Sequence, residues 1–160
     1  MTDSPAEIGE FKDLEIPVTN DQRSHARNPH ATVDAAGRVH LVWDHFGQTL
    51  YYSRRDKDGH WSEPLDIAEK GPNQRASHPQ LIIRGDQLAL IYTVNQSAFL
   101  RRGKLTAGAP TFGEPLKIAP HTAQLLSSAP LFTADDKVVF LTGQDTMWKQ
   151  TGSLQAVLGE

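Results

Sequence analysis

Between residues 28 and 68 apolar and polar positions fall into four short runs separated by turn residues. Ala31–Val33 breaks at Asp34-Ala35-Ala36-Gly37, and Val39-His40-Leu41-Val42-Trp43 breaks at Asp44-His45-Phe46-Gly47. Leu50-Tyr51-Tyr52 breaks at Asp56-Lys57-Asp58-Gly59, and a last run spans Trp61 to Ile67. Runs rich in β-branched and aromatic residues between Asp/Gly clusters predict strands, and their tight spacing predicts antiparallel neighbours. The stretch is therefore expected to fold as one four-stranded meander.

The same pattern returns along the chain. Pro29, Pro79 and Pro130 each open a unit, at spacings of 50 and 51 residues. The closing segment Trp61-Ser62-Glu63-Pro64-Leu65-Asp66-Ile67-Ala68 returns 51 residues later as Phe112-Gly113-Glu114-Pro115-Leu116-Lys117-Ile118-Ala119. A weaker copy, Phe11-Lys12-Asp13-Leu14-Glu15-Ile16-Pro17, lies near the N-terminus. A period near fifty with about four strands per unit predicts an all-β propeller built of four-stranded antiparallel blades. The competing arrangement is a small β-sandwich with accidental self-similarity. The expected layout is a flexible lead over 1–8, a closing strand over 9–18, blades over 28–68 and 78–119, and a partial blade over 129–158. The last blade is expected to place its strands at 129–133, 137–142 and 146–150.

On this layout the chain begins with a fourth strand and ends near a third. That offset lets a first segment complete a last blade and hides sheet edges. About three blades do not close a ring, since rings hold about four to eight. The chain is thus expected to be half of a six-bladed homodimeric ring or a fragment of a longer propeller. In the first case each N-terminal strand completes the partner's last blade.

Composition narrows the functional classes. The net charge of −3 argues against nucleic-acid binding through a basic surface. The chain has no cysteine, so neither disulfides nor thiol chemistry enter. The polar, acidic start lacks the features of a signal peptide, and no apolar run approaches the ~20 residues of a membrane span. The compartment stays open between the cytoplasm and an exported protein of which this is a piece. The seven histidines show no metal-ligand spacing, and no cofactor is implied.

In a propeller blade, the loops after strand two and after strand four share one face, where sites form around the axis. Two inter-blade loops are alike: Asp21-Gln22-Arg23-Ser24-His25-Ala26-Arg27-Asn28 and Asn73-Gln74-Arg75-Ala76-Ser77-His78. The third, 121–128, keeps Gln and Ser but loses the Arg. The loops after strand two add Asp44-His45, Asn95-Gln96 and Gln144-Asp145. The candidate ligand-binding residues are Arg23, His25, Asn28, Asp44, His45, Arg75, His78, Asn95 and Gln96. Guanidinium groups fork carboxylates while amides and carboxylates take hydroxyls, which suits a sugar or an acidic sugar. Asp44 and His45 are also the candidate acid–base pair, because histidine titrates near neutral pH. The competing role for all of these residues is bracing between blades or within turns. Arg54-Arg55 and Arg101-Arg102 are expected to be solvated charge on the outer rim.

Asn28-Pro29-His30 with Val33-Asp34, then Leu50-Tyr51-Tyr52-Ser53-Arg54, then Asp58-Gly59-His60-Trp61 together resemble the BNR or Asp-box repeats of sialidase-like propellers. The Asp-box places Ser-x-Asp-x-Gly-x-Thr-Trp in the turn between strands three and four. Here Ser53, Asp56 or Asp58, Gly59 and Trp61 match it with no Thr and a spacing stretched by one. The resemblance implies a propeller that recognises carbohydrate, or alternatively a glycoside hydrolase or polysaccharide lyase acting on acidic glycans. Sialidases of that family carry an Arg-Ile-Pro motif for the substrate carboxylate, where this chain has Glu15-Ile16-Pro17. An assembly scaffold without a ligand is the third expectation.

Overall fold

In the computed structural model the described residues are 26–68, 74–95, 97–119, 124–125, 130–143 and 154–159. They form strands and turns without a helix. Sheet one is an antiparallel meander of β1 (Ala26–Val33), β2 (Val39–His45), β3 (Thr49–Arg55) and β4 (Leu65–Asp66). Sheet two runs through β5 (Ala76–Arg84), β6 (Gln87–Val94), β7 (Ser97–Lys104) and β8 (Thr111–Phe112), with β9 (Leu116–Ala119) also paired to β7. Sheet three contains β10 (Gln124–Leu125), β11 (Leu131–Phe132), β12 (Val138–Gly143) and β13 (Leu154–Gly159). The chain is an all-β propeller array of stacked antiparallel blades.

Two details differ from the sequence-based layout. The fourth strands are shorter than expected: in sheet one only Leu65–Asp66 and an isolated Arg55–Trp61 bridge pair with β3. Pro64 has no N–H to give a ladder and breaks the run there, as Pro115 separates β8 from β9 in sheet two. In sheet three, β13 pairs with β12 continuously from Val138↔Gly159 to Gly143↔Leu154. The neighbour of β12 thus comes from 154–159, later in the chain than expected. The segment expected to fill that place (146–150), the closing strand over 9–18 and the lead over 1–8 lie outside the described residues.

The innermost strands of sheets one and two share an irregularity. Register shifts between Arg27 and His30 in β1, and between Ser77 and Gln80 in β5. Each bulge holds a residue of positive φ directly before proline, Asn28 (φ 50°) and His78 (φ 53°). The proline cannot donate to the ladder, so the chain leaves it and rejoins two residues later. Both prolines of this device were visible as the repeat spacing.

Strand alternation distributes the core. Along β6, Leu88, Leu90, Tyr92 and Val94 join Val42, Leu50, Tyr52 and Ile67 in a cluster between sheets one and two. The intervening Ala89 and Ile91 join Ala98, Leu100 and Val138 in a second cluster, with Ile82, Ile118 and Phe132 against it. A half-buried strand would alternate with polar residues; β6 has none on either face between Leu88 and Tyr92 because blades cover both faces. Each fully buried large side chain here contributes roughly 1.5–3 kcal/mol.

The rim arginines are the clearest correction. Arg101 is buried, donating to the carbonyls of Ile67 (2.7 Å), Gly113 (2.7 Å) and Phe112 (3.3 Å). Arg54 crosses the other way and donates to Gly108 O at 3.0 Å. Arg102 donates to Asp136 O at 2.9 Å, and Arg84 donates to Thr133 O and pairs with Asp136, tying sheet two to sheet three. Neighbours in sequence alternate faces, so Arg101 and Arg102 reach different sheets. Arg55, on the remaining face of sheet one, is half-buried and has no described inter-blade role.

Candidate functional site

β1 and β5 begin, and β2 and β6 end, on one side of the array. The registers Ala26↔His45 and Ala76↔Val94 fix this. The first strands also pack against each other. Asn28, Asp44, His45, Arg75, His78 and Asn95 all lie at this end. Arg23, His25 and Gln96 lie outside the described residues.

Asp44 is the hub. It is only 1% exposed, and its carboxylate accepts three hydrogen bonds. The donors are Asn28 Nδ2 at 2.6 Å, Gly47 N–H at 3.0 Å and His78 N–H at 3.2 Å. The first two come from its own sheet and the third from sheet two, so the carboxylate clamps two blades. A second clamp lies deeper in the seam, where Leu81 N–H donates to His30 Nδ1 at 3.2 Å. Burial pushes His30 toward its neutral form, the form able to accept. The Asp44 carboxylate and the His45 ring do not come together. They are consecutive strand residues and face opposite sides, with the His45 ring 6.2 Å from Tyr51.

Two half-exposed or exposed groups flank the hub. The His78 ring contacts Ser77 Oγ through Nδ1 at 3.0 Å, and Ser77 Oγ meets Thr93 Oγ1 at 2.9 Å. Asn95 and Arg75 close a small ring across the strand ends: Arg75 N–H donates to Asn95 Oδ1, and Asn95 N–H donates to Arg75 O, both at 3.4 Å. Their side chains are otherwise exposed. Sequence reasoning passed over Arg27 and Phe46. The Arg27 guanidinium lies 4.5 Å from the Phe46 ring centre, and Phe46 is exposed at the tip of the turn after β2. Arg27 belonged to the loop already singled out; Phe46 read as an ordinary turn residue.

A second polar cluster occupies the opposite end of sheet one. Asp34 accepts Ala36 N–H and Arg38 N–H at 2.9 Å each, and the Arg38 Nε–H at 2.6 Å. His40 sits between Asp34 (3.2 Å to Nε2) and the Tyr52 hydroxyl (2.8 Å to Nδ1). Burial alone pushes the Asp34 carboxyl up. The hydrogen bonds from Arg38 and His40 and the Arg38 charge outweigh it and hold Asp34 well below the usual carboxylate range. Burial lowers His40 more than Asp34 raises it, and burial pushes the Tyr52 phenol up to about 12. His40 is fully enclosed and Tyr52 nearly so, which makes this a structural network. The described grooves, of about 390 Å³ each, follow the rim of the seam near Leu65 rather than the Asp44 end.

No protein-family model and no curated protein matches the chain. Solved structures do. One is a GH43 glycoside hydrolase engineered at its active site, displaying both endo-xylanase and exo-arabinofuranosidase activity (11% identity, TM-score 0.54). It aligns with 82% of this chain and 28% of its own. A bifunctional GH43-CE protein of Bacteroides eggerthii is 15% identical over 84% of this chain and 20% of its own, with a TM-score of 0.54. An exo-1,5-α-L-arabinanase from a bovine ruminal metagenomic library is 18% identical over 88% of this chain and 54% of its own, with a TM-score of 0.53. The chain spans 20% to 54% of the lengths of these proteins. At such identities the likeness is one of fold, and the fold that it supports is the β-propeller.

Proposed function

We propose that this chain is a carbohydrate-recognising propeller module whose sugar contacts lie at the Asp44 end. The observation that carries this is the pair of strained residues, Asn28 and His78, held at equivalent places on adjacent inner strands. A non-glycine residue at positive φ costs of order 1–3 kcal/mol and is retained where the surroundings over-determine it, often at ligand sites. Arg27, Phe46, Arg75 and Asn95 lie at the same end and add cations, an aromatic surface and an amide, the chemistry that sugars use. The glycoside hydrolases among the structural neighbours support the same ligand class.

Binding is favoured over turnover by the carboxylate inventory. Glycoside hydrolysis ordinarily uses two carboxyl groups flanking the bond. Among the described residues, the ends of β1, β2, β5 and β6 that form this site carry one, and three donors engage it. Calorimetric titration with arabino-, xylo-, sialyl- and uronate oligosaccharides tests the reading. His78→Ala is expected to weaken the best binder at least tenfold while the thermal transition stays cooperative. Failure of every glycan to bind leaves the scaffold reading. Release of product from any of them makes the chain part of a hydrolase or lyase instead.

Two finer readings accompany it. The tight turn at Asp56, with Gly59 at φ 88° and Gly59 N–H donating to Asp56 O at 3.0 Å, supports kinship with Asp-box propellers. A second copy of the chain is proposed to cover the outer blade faces. Val33 and Phe132 each pair with the first residue of the following strand, and Ile83 with the second. Ile83 and Phe132 pack against the preceding sheet, whereas Val33 is 60% exposed. Leu131, on the other face of sheet three, is 66% exposed. A folded, strictly monomeric particle in light scattering would exclude the homodimeric ring.

A further inference from the structure

We infer that His78 is held as the Nδ1–H tautomer by Ser77 and Thr93, so that it offers the bare Nε2 lone pair to a hydroxyl of a neutral sugar. The ligand half of this inference rests on the carbohydrate reading above; the tautomer half does not.

The assignment follows from counting protons. A threonine hydroxyl has one hydrogen to give. Thr93 Oγ1 donates it to Ser77 O at 3.1 Å. Thr93 Oγ1 also lies 2.9 Å from Ser77 Oγ, and with its own proton already used it can only accept there. The Ser77 hydroxyl proton therefore points at Thr93, and Ser77 Oγ turns lone pairs toward His78 Nδ1 at 3.0 Å. A contact between two lone pairs would repel, so Nδ1 carries the hydrogen. A neutral imidazole has one N–H, which leaves Nε2 as an acceptor. Nε2 has no hydrogen-bond partner among the described residues, and the side chain is half-buried at the site.

The backbone fixes the ring where this matters. Thr93 is buried on β6, with 5% exposure, and pairs directly with Ser77 in the ladder. Positive φ at His78 and the proline after it set the Cα–Cβ direction. An acceptor nitrogen selects a hydroxyl donor and repels a carboxylate, so the preferred ligand class is neutral glycans. The charged groups that bear on this are Asp44 of β2, which accepts the His78 N–H, and Arg27 and Arg75 at the same end of β1 and before β5. Ser77 and Thr93 are positioning residues, because they act through His78.

Long-range 15N–1H NMR of the imidazole in the whole chain tests the tautomer without a ligand. In the neutral ring, Nδ1 is expected to bear the proton. In Thr93→Val the Ser77 hydroxyl is freed to donate to His78, and the ring is expected to move toward the Nε2–H form. An Nε2–H ring in the unaltered chain, or an unchanged ring in a folded Thr93→Val, overturns the assignment. Titration with neutral arabino- and xylo-oligosaccharides, against uronate oligosaccharides, tests the ligand class. The preference for neutral over uronate oligosaccharides is expected to fall about tenfold in Thr93→Val, because an Nε2–H would donate to a carboxylate. Preference for uronates, or an unchanged preference in a folded Thr93→Val, overturns the neutral-sugar class. A correct tautomer with no glycan bound sinks the carbohydrate reading and leaves the tautomer standing.

Discussion

Asp34 and Asp44 are both buried carboxylates of sheet one, ten residues apart, yet they do different work. Every donor to Asp34 comes from its own hairpin, residues 36 to 40. Asp44 takes one of its three donors from the next blade, 34 residues along the chain. The first carboxylate stabilises a turn and fixes His40 and Tyr52 inside one sheet. The second couples two sheets at the end where the candidate ligand groups gather. A buried carboxylate therefore couples blades here only when one of its donors comes from a different sheet.

The largest expected effect comes from breaking the in-sheet network. Asp34→Ala strands Arg38 and His40 and should cost about 3–5 kcal/mol in denaturant unfolding. Glycan affinity of the remaining folded fraction should be unchanged. A loss below about 1 kcal/mol would mean that the turn holds without the carboxylate.

The pH dependence of the Asp34 network is of a similar scale. Asp34 is held below its ordinary value of 3.8 and His40 below 6.5. Both favour the deprotonated form in the folded chain. Their stabilisation is present above those ordinary values and is lost as pH falls, first below about 6.5 and then below about 4. Tyr52 runs the opposite way: its phenol rises from 10.0 to about 12, so the folded chain favours the protonated form. About 2–3 kcal/mol should be lost between pH 10 and 12. Tyr52→Phe should abolish that alkaline limb in a pH series of denaturant midpoints. Asp44→Asn should leave it intact.

A smaller effect is expected from Asp44→Asn, which turns an acceptor oxygen into an amide facing donors. It should cost about 1–3 kcal/mol and loosen the seam between sheets one and two. Hydrogen exchange should rise at His78 N–H and leave Ala36 and Arg38 N–H protected. Uniform exchange over both ends of sheet one would erase the distinction drawn between the two carboxylates.

Much of this architecture was legible before any coordinates. The fifty-residue recurrence, the Asp/Gly turns and the prolines at 29, 79 and 130 are local features, and local features set strand limits and bulges. The opposite orientation of Asp44 and His45 was also readable from alternation along one strand, although their adjacency suggested a pair. Other assignments depended on contacts distant in sequence. Arg54 and Arg101 looked like solvated rim charge, and their carbonyl partners are up to 54 residues away. Strand alternation gives a side chain a face, but only the packed neighbour says whether that face meets water or another blade. For the same reason, the repeat determined that sheets would form and roughly where they would turn. Tertiary structure alone decided that the Asp44 carboxylate would reach the His78 amide, and so where two blades meet around one buried charge.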